Sequence, residues 1–282
     1  MNFPKSSEHY INSNDITLHY IEYPHNGATI ICLHGLTANC HAFDGLVANG
    51  LNDTYRLIAP DLRGRGLSSH PAFGYSLEEH AQDILGLLDH LKIEQAILMG
   101  HSFGGLLSCY LAATYPDRVK NIILLDAAAE MNPDVMEMLG PAIGRLEQKF
   151  DSWDTYLTSR KNAPYMIAWD DTMLSYYEAD VMKTEDGGVT PSASLANIVE
   201  AALGLSHIPW NIHMAKIDCP VVLMNALSEY TMEQPLLPEY QALQTVEIIP
   251  NCKYIAVEGN HHTMLYGLGA KQIVKAVHDF LD

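Results

Sequence analysis

Gly100-His101-Ser102-Phe103-Gly104 fits the pattern G-x-S-x-G. A serine in that pattern can act as a nucleophile when the chain turns sharply around it from a strand into a helix. The flanking residues meet the condition: Ala96 to Met99 is a short apolar run, and Phe103 to Tyr115 reads as a helix. Gly100, Gly104 and Gly105 supply room where helix and strand approach each other. Such a turn lifts the Ser102 hydroxyl off the sheet edge. It also puts the Phe103 amide at a helix N-terminus, where a backbone N–H can hold developing negative charge. His34-Gly35-Leu36-Thr37, following the apolar run Ala28 to Leu33, offers a second donor in the Leu36 amide. His34 reads as a hydrogen-bonding scaffold residue, because a serine nucleophile needs only one imidazole. The chemistry these residues suit is acyl transfer.

The elements that must hold them follow from the apolar pattern. Ile16 to Tyr23 is rich in β-formers and follows a turn at Asn12 to Asp15. Ala28 to Leu33, Tyr55 to Ala59, Ala96 to Met99, Asn121 to Leu125, Pro220 to Met224 and Tyr254 to Val257 are short continuous apolar runs, as strands buried on both faces require. Between them, Ser76 to Leu91 repeats apolar residues at helical spacing, with Ser76 and Glu79 as a capping box. Ala270 to Leu281 closes the chain as a helix. Strands alternating with helices predict crossover connections and a mainly parallel sheet. The interval 128–215 breaks the rhythm. It holds all three tryptophans, Trp153, Trp169 and Trp210, and seven of the twelve methionines. It is predicted to be a helical cap whose inner face lines the pocket, inserted into a core domain formed by residues 1–127 and 216–282.

His34-Gly35-Leu36-Thr37, the segment DLRGRGLS at 61–68, GHSFGG at 100–105 and NHHT at 260–263 resemble, in that order, the α/β-hydrolase superfamily in its capped serine-esterase-like branch. The resemblance implies an α/β fold with a doubly wound, mainly parallel eight-stranded sheet and a Ser–His–acid mechanism. Asp61 to Gly66 resembles that family's structural loop beside the site, which makes Arg63 and Arg65 scaffold residues expected to pair with acids.

The triad order on such a fold, serine then acid then histidine, puts the base late in the chain. Of the fourteen histidines, His261 and His262 lie in the loop before the last helix. His261 is preferred because Asn260-His261 followed by a bulky residue and Thr263 resembles the family's catalytic loop; His262 is the rival if the loop is aligned on Gly259. The acid is expected after the strand that begins at Pro220. The family usually shows Gly and Asp there, whereas this chain reads Asn225-Ala226-Leu227-Ser228-Glu229. Glu229 is therefore the expected acid, with Asp126, at the end of NIILLD, as the alternative; some relatives carry their acid there.

The remaining composition narrows the partners. The sequence has 282 residues, with 16 Lys and Arg against 34 Asp and Glu, a net charge of −18. That surface repels nucleic acid and anionic lipid. No apolar run reaches the length of a membrane helix, and Met1 to Tyr10 lacks the basic and apolar stretches of a secretory signal. Five scattered cysteines without paired spacing suit a reducing, cytoplasmic setting. No metal or cofactor motif occurs, so neither is expected. The expected partner is a small-molecule substrate, and the protein a monomer or homodimer. The expected activity is hydrolysis of a carboxylic ester or lactone of a small to medium, largely apolar substrate through an acyl-enzyme on Ser102. The alternatives are a carbon–carbon bond hydrolase, which a cap arginine pointing into the pocket would favour, and a non-catalytic ligand-binding protein. Arg145 and Arg160, the two cap arginines, are expected on solvated faces.

Overall fold

The structure is a computed structural model that describes residues 5–282. Ten strands form: β1 (Ser7–Ser13), β2 (Ile16–Tyr23), β3 (Thr29–Leu33), β4 (Arg56–Pro60), β5 (Ala96–His101), β6 (Val119–Leu125), β7 (Val181–Lys183), β8 (Val189–Pro191), β9 (Val221–Ala226) and β10 (Cys252–Val257). The helices are α1 (Asp44–Ala48), α2 (Leu77–His90), α3 (Phe103–Thr114), α4 (Val135–Met138), α5 (Gly140–Gly144), α6 (Trp153–Lys161), α7 (Leu174–Ala179), α8 (Leu195–Leu205), α9 (Trp210–Met214), α10 (Glu239–Ile248) and α11 (Gly267–Leu281).

Eight strands make one sheet in the order β1-β2-β4-β3-β5-β6-β9-β10. The first two junctions are antiparallel and the rest parallel. The continuous apolar runs explain the two-sided burial. Side chains alternate across a strand, so Ile31, Leu33, Ile122, Leu124 and Leu223 enter the core under α2 and α3. Their neighbours Ile30, Cys32, Ile123, Leu125 and Met224 enter the opposite core, under α1 and α11. Each such burial contributes roughly 1.5–3 kcal/mol, and the two layers clamp the sheet whose C-terminal edge carries the site.

Both halves of the Ser76 capping box form: the Ser76 amide donates to Glu79 Oε2 at 2.9 Å, and the Glu79 amide to Ser76 Oγ at 3.3 Å. β1 was not expected, because its residues have no apolar alternation; it pairs with β2 through the full register Ser7–Ser13 to Glu22–Ile16. Its turn falls at Asn14 and Asp15, both with positive φ. The reading of Met1 to Tyr10 as free of a signal lies partly outside the described residues.

The interval 128–215 adds no strand to the large sheet. It carries α4 to α9 and, in addition to the expected helices, the antiparallel pair β7–β8. None of its tryptophans faces the cavity described below. Trp153 and Trp169 pack on the α1–α11 core, and Trp210 on the α2–α3 core.

One close approach fixes the position of Ser102. Gly104 lies against β3, so that a Cβ there would run into the Leu33 carbonyl, and a Cβ on Gly100 would meet that of Gly104. Gly104→Ala must therefore push α3 off the sheet. A loss of at least about 2 kcal/mol is expected in urea denaturation, and an unchanged midpoint would contradict this packing account.

Candidate active site

Ser102 stands between β5 and α3 with φ 53° and ψ −118°, a strained conformation for a residue with a Cβ. Its amide donates to the Leu125 carbonyl at 3.0 Å, and its carbonyl accepts from Gly105 and Leu106 in the first turn of α3. The strain is thus held by the ladder to β6 on one side and by the helix on the other. Phe103 is the first residue of α3, where amides lack partners in the preceding turn. The Gly35–Leu36 segment passes over the same spot: a Cβ on Gly35 would lie 3.5 Å from Ser102 Cβ and 3.2 Å from His101 Nδ1.

His261 is buried, and its Nδ1 lies 2.7 Å from Asp126 Oδ2. This overturns the expectation that Glu229 would accept the His261 Nδ1–H. Glu229 is exposed, and it is its backbone carbonyl that takes part in the fold here, accepting from Asn260 Nδ2 at 2.9 Å. Asp126 succeeds because it ends β6 directly, with φ 51°, next to the strand that precedes Glu229. Its Oδ1 accepts from Asn225 Nδ2 at 2.8 Å and from the Ala226 amide at 2.9 Å, which leaves Oδ2 for the imidazole. Asn225, at the end of β9 where the family shows an acid, is the residue that sequence reasoning missed. The signal was present: a wholly buried amide in an apolar strand must find partners.

The loop after β10 is held by Asn260. Its Oδ1 accepts from the His262 and Thr263 amides, and its Nδ2 donates to the Tyr165 and Glu229 carbonyls. His101 Nε2–H donates to the His261 carbonyl at 2.8 Å, tying the residue beside the serine to the loop of the base. His34 donates from Nδ1 to the Gly35 carbonyl and accepts the Leu62 amide at Nε2. Asp61 anchors the adjoining loop, accepting from the Cys40 and Leu67 amides and from His19 Nδ1.

Ser102, His261, Gly35 and Leu36 line one cavity of about 70 Å³. Phe103 is buried beneath it. His262, the rival base, also faces the cavity, but its Nε2 lies 3.0 Å from the Tyr177 hydroxyl and not on a carboxylate. Five tyrosines close the walls: Tyr165, Tyr176, Tyr177, Tyr230 and Tyr266. The 128–215 interval is aromatic and methionine-rich in sequence, and aromatic side chains do line the cavity with Leu36, Leu139, Ile143 and Leu265, but they are tyrosines; no Met or Trp lines it.

The arginines also depart from expectation. Arg63 pairs with Asp83 at 2.6 Å. Arg65 is fully buried and has no acid partner among the described residues; it donates to the Leu36 carbonyl at 3.0 Å, to the Arg63 carbonyl and to His80 Nε2. Arg145 and Arg160 are buried rather than solvated. Arg145 lines the cavity, yet Nε and Nη2 bind Asp180 and its remaining bonds go to the Ala142 and Thr37 carbonyls. Arg160 lies over the rings of Phe150 and Tyr156.

A family model of the alpha/beta hydrolase fold matches residues 28–267. The chain belongs to that family. It is 29% identical over 287 residues to a 2-(acetamidomethylene)succinate hydrolase of Mesorhizobium japonicum, covering 98% of this chain and 97% of the relative. The crystal structure of an E-2-(acetamidomethylene)succinate hydrolase superposes with a TM-score of 0.87 at 26% identity, over 99% of this chain and all of the other. An enol-lactonase from Burkholderia xenovorans gives 0.74 at 21% identity over 96% of this chain and 99% of that one, a likeness of fold.

Several imidazoles of this alpha/beta hydrolase are kept neutral by burial. Loss of solvation holds His34 down to about 4 and His262 down to about 3, and holds His80 and His101 well below the ordinary histidine range. The unfolded chain, with histidines near 6.5, takes up protons that the folded chain refuses, so stability is present above that value and lost below it. Each group contributes a slope of up to about 1.4 kcal/mol per pH unit between its two values. Unfolding free energy measured by urea should therefore fall steadily from pH 7 to pH 4.5; a flat profile over that range would count against the neutral histidines.

Proposed function

We propose that the protein is a serine hydrolase that cleaves a small-acyl ester or lactone through an acyl-enzyme on Ser102. The observation that carries this reading is the convergence of Ser102 and His261 on one cavity, with Asp126 Oδ2 on His261 Nδ1. In this reading His261 Nε2 takes the Ser102 proton as Oγ attacks the carbonyl carbon, and returns it to the leaving oxygen. Asp126 holds the Nδ1–H tautomer and stabilises the imidazolium. The Leu36 and Phe103 amides receive the oxyanion, and water then clears the acyl group by the same base. Residues 128–215 act as a cap, since Leu139, Ile143, Arg145 and Tyr176 supply walls of the cavity.

Size and lining set the substrate class. About 70 Å³ bounded by five tyrosines and three histidines, with Leu36, Leu139, Ile143 and Leu265 beside them, suits an acetyl- or propionyl-sized group with a polar leaving group. The relative from Mesorhizobium japonicum is named for an acetamido compound, which brings an N-acyl bond within the same acyl-enzyme chemistry. The carbon–carbon reading has one point in its favour, Arg145 at the cavity wall, but Asp180 balances that charge. The non-catalytic reading required a broken triad, which the Asp126–His261 bond disfavours. No helix among the described residues is long and apolar enough to cross a membrane, and all five cysteines are free. These features suit a cytoplasmic enzyme.

Labelling with a fluorophosphonate tests the nucleophile: one adduct is expected, lost in Ser102→Ala. Turnover of p-nitrophenyl esters should fall at least about tenfold in kcat/KM from acetate to octanoate. A preference for octanoate would overturn the small-acyl assignment. Asp126→Asn should lower kcat by up to about 10⁴, while Glu229→Gln stays within about threefold of the parent. The reverse pattern would return the acid to Glu229.

A further inference from the structure

The side chain next to the base is unused by the reaction above. We propose that Tyr177 and His262 form a neutral hydrogen-bond donor pair that seats a second substrate oxygen, a carbonyl or carboxylate, beside the scissile acyl group. The inference rests on the serine-hydrolase reading and adds a substrate class to it.

The argument begins with the Tyr177 proton. Tyr177 is 1% exposed, stacked on Trp169 and edge-on to Tyr176, at ring separations of 5.7 and 5.0 Å. Burial raises its hydroxyl well above the usual range, so the proton stays on and must be donated. Among the described residues the acceptor within reach is His262 Nε2, at 3.0 Å. An unmade hydrogen bond from a buried donor costs about 1–3 kcal/mol, so the Nε2 lone pair is committed to Tyr177 and the ring proton sits on Nδ1.

The environment keeps the ring neutral. Burial is the main cause of its low value of about 3, and His261 and Arg145 add to it. The groups facing it are the rings of Tyr165, Tyr176 and Tyr266, at 5.4 to 5.9 Å, with the Arg145–Asp180 pair behind. His262 is held in place from below as well, its amide donating to Asn260 Oδ1 at 3.1 Å. No side chain or carbonyl among the described residues accepts from Nδ1, and the ring lines the cavity with Ser102 and His261. An N–H so placed is a fixed donor open to the cavity, where a substrate oxygen can replace water on it. It is neutral, and the nearest cation is already paired, so the site favours an oxygen acceptor without requiring a full negative charge.

The test uses two acetate esters that differ in one atom position: acetonyl acetate, with a ketone oxygen, and 2-methylallyl acetate, with a methylene in its place. Both are assayed as substrates and as protectants of Ser102 against the fluorophosphonate. His262→Phe and Tyr177→Phe should each lower kcat/KM for acetonyl acetate about tenfold more than for 2-methylallyl acetate. His262→Asn, whose amide can place an N–H near the Nδ1 position, should recover part of the difference. If both esters lose activity in the same proportion in both Phe variants, the pair is only a wall of the cavity and the proposal falls. It falls too if neither ester protects a serine that the probe labels. A parent protein in which the probe fails to label Ser102 overturns instead the serine-hydrolase reading beneath it.

Discussion

The site depends on one buried carboxylate. Asp126 is wholly out of solvent at the end of β6, and burying such a group costs several kcal/mol unless it is paired and hydrogen-bonded. Three donors offset that cost: Asn225 Nδ2, the Ala226 amide and His261 Nδ1–H. Two of the three come from β9 and the third from the loop after β10, so three neighbouring sheet-edge segments must be in register for the charge to be tolerated. The Asp126 amide, bonded to the Met224 carbonyl, extends the ladder into the bend itself. The positive φ of Asp126 then turns the chain out of β6 and into the 128–215 interval.

That interval is fastened to the rest of the protein by polar ties. Asn39 Nδ2 donates to the Tyr176 carbonyl, Ser175 Oγ to Asp44, Asn260 Nδ2 to the Tyr165 carbonyl and Arg145 Nη2 to the Thr37 carbonyl. Each tie is directional, so each fixes the orientation of a wall as well as its distance. Arg145 shows the consequence. Its pairing with Asp180 and its reach to Thr37 make it a brace between the cap and the turn that carries Leu36, and spend its hydrogen bonds on the protein rather than on a ligand.

Much of this was legible from local pattern. The apolar runs gave strands to within a few residues, because burial on both faces leaves little freedom in composition. The strand–Ser–helix context located Ser102, since the glycines around it answer a close approach that any such turn must make. The acid was not legible. Asp126 and Glu229 follow apolar runs equally well in sequence, and only pairing of β6 with β9 shows that the first sits against Asn225 while the second has turned out to solvent. β1 lacked apolar periodicity because it is an edge strand with one partner. Which residues of the 128–215 interval meet the cavity was not legible for another reason. Tryptophan and methionine clustered there to pack helices, whereas the cavity is walled by tyrosines scattered from 165 to 266, which no sequence window brings together.

Two of the buried arginines are paired with acids, and among the described residues Arg65 and Arg160 are not. Arg145 meets Asp180 and Arg63 meets Asp83, each a buried cation with its opposite in contact. Of the two without an acid, Arg65 is the one that lies beside the serine turn. Burial lowers its guanidinium to about 10, still far above neutrality, so it stays charged while bonded to neutral acceptors. It lies 5.6 Å from the centre of the Phe103 ring and holds the Leu36 carbonyl. A cation without a counter-ion in a low-dielectric interior keeps its field, and in the reaction proposed above negative charge would develop on a substrate oxygen near it. The same desolvation that makes an unpaired arginine costly for folding therefore acts in the direction that acyl transfer needs. Replacing it with a neutral residue would weaken that field and also leave the Leu36 and Arg63 carbonyls and His80 Nε2 without their donor, so charge and positioning are coupled in one side chain.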